Sequence, residues 1–180
     1  MSELKLVGLC GSLRRESWNR KLLYAARDAF GQAEFTEGNL RLPLFDEDLE
    51  AEGIPTEVTA LKDQIKAADA VIIACPEYNK APPGVLKNAL DWLSRGGHPW
   101  ADKPVAIMSA AAGRAGGERT QFSLRLMMVA FQPYLLQGPE VMIAQPAKAF
   151  DDSGTLRDET GAKLVTDLMT KLREAAQARA

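Results

Sequence analysis

Apolar runs and helical patterns alternate along the chain from one end to the other. Leu4–Leu9 is a short apolar run of strand type, and Asn19–Phe30 repeats Leu22, Ala26 and Phe30 at helical spacing. Ala33–Glu37 reads as a weak second strand. A loop over Leu40–Leu49 follows, and Pro55 opens a helix over Thr56–Ala67 with Val58, Leu61 and Ile65 inward. Ala70–Cys75 is apolar throughout, the pattern of a strand covered on both faces. Helical spacing resumes from Gly84 to about Ser94, where Gly96-Gly97 stops it. Lys103–Ser109 is the next strand. A small-residue loop, Ala110–Gly117, leads to a helix that ends before Pro133. Glu140–Ile143 is the last strand, and a final helix from near Thr160 shows Leu164, Leu168 and Leu172.

Five strands alternating with five helices predict an α/β fold, a parallel sheet with right-handed crossovers and helices on both faces. Two doubly wound strand orders compete. The dinucleotide-binding order requires G-x-G-x-x-G after the first strand, and Gly8-Leu9-Cys10-Gly11 does not supply that spacing. The flavodoxin-like order 2-1-3-4-5 is therefore expected for a five-stranded sheet. With 180 residues, 46% hydrophobic and 26% charged, residues 1–180 are expected to form a single domain. A formal net charge of −2 gives no field that draws nucleic acid or an anionic membrane surface. No apolar run reaches the ~18–20 residues of a membrane span. The opening Met-Ser-Glu-Leu-Lys enters a strand without a secretory hydrophobic region, so a cytoplasmic location is expected. Cys10 and Cys75 close predicted strands and read as buried apolar residues rather than a disulfide. With His98 the lone histidine, no metal site is expected.

Three segments fall at the carboxyl edge of such a sheet, where ligands bind. In Gly11–Asn19, the Ser12, Ser17 and Asn19 side chains can donate to phosphate oxygens, and Arg14 can offset their charge. Hydroxyl and amide donors of this kind suit a phosphomonoester; the plainer role for Ser17 is to cap the helix. Pro76-Glu77-Tyr78-Asn79 is stiffened by proline and can support a planar heterocycle, or serve only as a turn before the helix at Gly84. Ser109–Arg119 is rich in small residues that let backbone approach a ligand, and Arg114 can stabilise negative charge there. Alone, it also reads as a flexible surface loop.

Taken together, the three segments resemble the NADPH-dependent FMN reductase family, the flavodoxin-like quinone, chromate and azo reductases. The resemblance rests on Gly11-Ser12-Leu13-Arg14 with Ser17 and Asn19, on Pro76-Glu77-Tyr78-Asn79, and on Pro83–Trp92. Leu42–Asp46 and the loop ending Gly116-Gly117 also fit, so it spans roughly Leu4 to Val141. It implies bound FMN, NADPH or NADH as donor, and a homodimer or homotetramer. It assigns the FMN phosphate to Ser12, Arg14, Ser17 and Asn19. The ring is assigned to Pro76, Glu77, Tyr78 and Asn79, with Ser109, Gly113 and Arg114 nearby. It further implies that hydride passes to quinones or to acceptors such as azo compounds, chromate, ferric chelates or free flavin by a ping-pong mechanism.

No essential catalytic side chain is expected, because the flavin carries the chemistry. Arg95 is a candidate for steering an anionic substrate, and equally a cation suited to a helix C-terminus. His98 reads as a loop residue. Trp92, Met127, Met128 and Phe131 extend the apolar breadth of two helices, which hints at self-association. The competing function is a flavodoxin-like electron carrier or flavin sensor that never oxidises NAD(P)H directly.

Overall fold

The computed structural model describes residues 3–179. Its centre is the strand β3 (Ala70–Ala74), all five residues of which are buried. Alternate side chains serve opposite faces of the sheet: Ala70, Ile72 and Ala74 join one apolar cluster, Val71 and Ile73 the other. Around it lie β1 (Lys5–Cys10), β2 (Glu34–Gly38), β4 (Pro104–Ala111), β5 (Tyr134–Leu135) and β6 (Val141–Ala144). The order is β2-β1-β3-β4-β5, with β6 also paired to β4 and every pairing parallel.

One face is covered by α1 (Trp18–Phe30) and α7 (Glu159–Gln177), which bury Leu22, Leu23, Phe30, Leu168 and Leu172. The other is covered by α3 (Thr56–Ala67), α4 (Gly84–Leu93) and α5 (Glu118–Met128). Polar residues cap the starts of α1 and α7. The Ser17 Oγ accepts from the Arg20 N–H, and Asp158 Oδ2 accepts from the Gly161 N–H at 2.8 Å.

The expected layout holds in its order and differs in three details. The last strand position is shared by two short segments: β5 pairs with Pro104 and Val105, and β6 with Met108–Ala111. A helix α2 (Glu47–Glu52) lies partly inside the stretch read as loop, capped by Asp46, whose carboxylate accepts the Asp48 N–H at 2.8 Å. A four-residue helix α6 (Pro146–Ala149) follows β6. Both are too short for helical periodicity to reveal.

Trp92 is fully buried rather than part of an exposed apolar face. Its indole donates to the Pro43 carbonyl at 2.9 Å, and the ring meets Phe45 edge-on. Met128 is buried too; the apolar side chains that α5 and the turn after it leave exposed are Phe122, Leu126 and Val129. Both cysteines are free and buried.

Candidate functional site

The carboxyl ends of β1, β3, β4 and β6 open into one cleft of about 490 Å³. The volume suits a ligand of cofactor size. Its first wall is the loop after β1. Ser12, Ser17 and Asn19 line the cleft and are almost wholly buried, at 3%, 2% and 2% exposure. Ser12 Oγ accepts from the Arg14 N–H at 3.3 Å, and Asn19 is tied to the backbone of Ala110. Ser17 caps α1, the plainer of the two roles expected of it, and it also lines the cleft.

The loop's carbonyls are held by two arginines that sequence reasoning did not single out. Arg41 donates to Leu13 O at 3.2 Å, and Arg20 donates to Arg14 O at 3.1 Å and Arg15 O at 3.4 Å. Those partners occupy the carbonyl oxygens that would otherwise repel an anion. Arg20 is itself fixed by Glu37 at 2.8 Å, and the same carboxylate accepts from the Tyr24 hydroxyl at 2.6 Å. The hydrogen bond to Glu37 pushes the Arg20 guanidinium pKa up, holding it more firmly protonated. It also raises the Tyr24 phenol above its ordinary value, with burial adding to the effect.

The second wall is the loop after β3, and it touches the first. Gly11 N–H donates to Ala74 O at 2.9 Å, and a Cβ on Gly11 would stand 3.1 Å from Pro76 Cδ. Glycine is what permits that approach. The Tyr78 hydroxyl lies 3.4 Å from Ser12 Oγ, joining the two loops again. Pro76, Glu77 and Tyr78 line the cleft; Asn79 does not, because it turns the chain away. Tyr78 and Ala81 exchange both backbone hydrogen bonds across Asn79 (φ 51) and Lys80 (φ 69), a type I′ hairpin turn. Glu77 pairs with Arg119 at 3.8 Å.

The third wall is Ala110, Ala111 and Ala112. Ser109, Gly113 and Arg114 lie outside it. Ser109 is fully buried: its hydroxyl donates to Gly116 O at 2.7 Å and accepts from Gln121 Nε2 at 2.9 Å. It therefore shapes the loop from behind, while Gly113 and Arg114 occupy the exposed tip. Arg95 likewise does not line the cleft. It pairs with Glu50 at 2.8 Å and lies over the Phe45 ring. That hydrogen bond raises the Arg95 pKa and lowers that of Glu50. His98 is an exposed loop residue.

The fourth wall, Gln145-Pro146-Ala147-Lys148, was missed from sequence, as was Trp18 on the first. The strand-end rule that found the other walls points to this one as well, applied to the end of β6.

Residues 4–148 match the family described as NADPH-dependent FMN reductase. The chain belongs to that family. It is 40% identical over 173 residues to an NAD(P)H-dependent FMN reductase of Pseudomonas aeruginosa, covering 94% of each protein. It is also 40% identical over 174 residues to a quinone reductase of Escherichia coli, covering 89% of this chain and 93% of that one. The structure of FerB, a flavoenzyme NAD(P)H:(acceptor) oxidoreductase from Paracoccus denitrificans, superposes with a TM-score of 0.87 at 31% identity. That superposition covers 97% of this chain and 98% of FerB. As an FMN reductase the chain is an oxidoreductase that uses FMN with NAD(P)H as donor.

The donor set of the cleft fits that cofactor. A phosphomonoester needs hydroxyl and amide donors with a cation beside them, and Ser12, Ser17, Asn19 and Arg14 are of those types. A flavin ring needs a flat, rigid, largely apolar support, and Pro76, Tyr78 and the three alanines match.

Proposed function

We propose that FMN occupies this cleft with its phosphate toward Ser12, Arg14, Ser17 and Asn19 and its ring toward Pro76, Glu77 and Tyr78. The observation that carries the reading is the burial of three polar side chains around one cleft, linked through Tyr78 to the ring-side loop. When bound, FMN supplies the capacity to take two electrons from reduced nicotinamide and hand them to an acceptor. The protein's part is to hold the cofactor, exclude water beneath it and leave one side open. The Arg119 partner keeps the Glu77 carboxylate from standing as a bare charge in the cleft.

Quinones are the proposed acceptors, supported by the names of the relatives; azo compounds, chromate, ferric chelates and free flavin are the comparison set. Self-association as a homodimer or homotetramer is supported by Phe122, Leu126 and Val129, exposed at 52%, 75% and 70% on adjacent turns. A cytoplasmic setting is supported by the two free thiols. Among the described residues no helix is long and apolar enough to cross a membrane.

Stopped-flow mixing of the flavin-loaded protein with NADPH tests the central reading. Rapid bleaching followed by reoxidation on adding a quinone is expected. A flavin that stays oxidised would move the assignment to an electron carrier. Arg14→Ala should release FMN during gel filtration while leaving the fold intact by circular dichroism.

A further inference from the structure

The cleft is lined by a second cation besides Arg14, on its fourth wall. The chain leaves β6 through Gln145, whose backbone is left-handed (φ 46, ψ 55) and whose N–H donates to Ala111 O at 3.2 Å. It then turns back as α6, with the Lys148 N–H donating to Gln145 O at 2.8 Å. Lys148 lines the same cleft as Ser12, Ser17 and Asn19.

The position of α6 along the cleft is fixed by an aromatic contact. Phe150, just beyond α6, stacks on Trp18 with ring centroids 5.7 Å apart and an interplanar angle of 26°. Trp18 stands between Ser17 and Asn19, so the stack seats α6 beside that end of the cleft rather than beside Pro76–Tyr78. α6, Lys148 included, also borders a neighbouring groove with Arg157 and Asp158. Arg157 is held by Asp151 at 2.6 Å, and Asp158 accepts from the Gly161 N–H at 2.8 Å. Among the described residues neither Lys148 nor Arg14 has a carboxylate partner.

We propose that Lys148 is a second anchoring cation for the FMN phosphate, acting together with Arg14. A phosphomonoester carries about −1.5 to −2 charges at neutral pH, which one guanidinium does not balance. Arg14 and Lys148 together do. This assignment rests on placing the phosphate at Ser12–Asn19.

The test is titration of the flavin-freed full-length protein with FMN and, separately, with riboflavin, which lacks the phosphate. Lys148→Met should weaken FMN binding roughly five- to twentyfold and leave riboflavin binding within about twofold. Lys148→Arg should restore most of the loss. The slope of log Kd against log salt should become shallower in Lys148→Met, because one charge contact is gone. Equal weakening of FMN and riboflavin would mark a merely structural role and overturn the proposal. So would an unchanged FMN affinity in Lys148→Met alongside a weakened one in Arg14→Ala. If both variants bind FMN like the parent, the placement of the phosphate itself is wrong.

Discussion

Asn19 and Ala110 exchange two hydrogen bonds across the head of the cleft. The Asn19 amide nitrogen donates to Ala110 O at 2.8 Å, and its oxygen accepts from the Ala110 N–H at 2.9 Å. An asparagine in the first turn of α1 thus completes the end of β4, 91 residues away. Only a side chain with a donor and an acceptor side by side can do this.

Asn19→Asp keeps the shape and removes the donor, so a carboxylate oxygen then faces the Ala110 carbonyl in a buried site. The expected loss of folding stability is about 2–4 kcal/mol, read by urea denaturation. FMN should protect the variant less than it protects the parent.

The small-residue loop contains glycines of different kinds. Gly116 has φ +60, and a Cβ there would stand 2.6 Å from the carbonyl carbon of Met142 in β6. Gly113 has nothing within 4 Å. Gly116→Ala should cost at least ~2 kcal/mol, while Gly113→Ala should stay within ~0.5 kcal/mol, both measured by thermal or urea unfolding.

Lys80 occupies the second central position of the type I′ turn at φ 69, where a side chain is disfavoured. Lys80→Gly creates the Asn-Gly pair that this turn prefers. The relief outweighs glycine's added chain entropy, and a gain of roughly 0.5 kcal/mol is expected in the unfolding free energy.

Burial pushes the Cys75 thiol from its ordinary value of 9.0 up to about 12. The folded protein keeps this proton after the unfolded chain has lost it. The associated stability is therefore complete below about pH 9 and lost between pH 9 and 12. Between pH 8 and pH 11 the parent should lose roughly 2–3 kcal/mol more than Cys75→Ala in denaturant titrations. Neither cysteine should react with a thiol reagent in the native state at pH 8, since burial raises Cys10 as well.

The parts legible in sequence share a physical cause. Ala70–Ala74 and Thr56–Ala67 were readable because an unbroken apolar run and a stripe of Val58, Leu61 and Ile65 are local consequences of burial. Ser12, Ser17 and Pro76 were readable because strand ends in this fold gather ligand-binding loops. The division between β5 and β6 was not readable, since it depends on which ends of β4 they meet. Ser109 looked like a contact residue; its hydroxyl is occupied by Gly116 and Gln121, partners that only the folded loop brings to it. Lys148 was hidden for the same reason: Gln145 reverses the chain in a conformation that carries no periodic signal.

The Trp18–Phe150 stack joins residues at opposite ends of the chain's synthesis. The loops after β1, β3 and β4 emerge from a ribosome first, and the wall carrying Lys148 follows well over a hundred residues behind Trp18. At ordinary translation speeds that gap is roughly ten seconds. A nascent chain that has exposed only the loops after β1, β3 and β4 therefore still lacks the fourth wall of the cleft. The cleft gains that wall only once Phe150 can reach Trp18, with α7, the helix that packs beside α1, the element still to come.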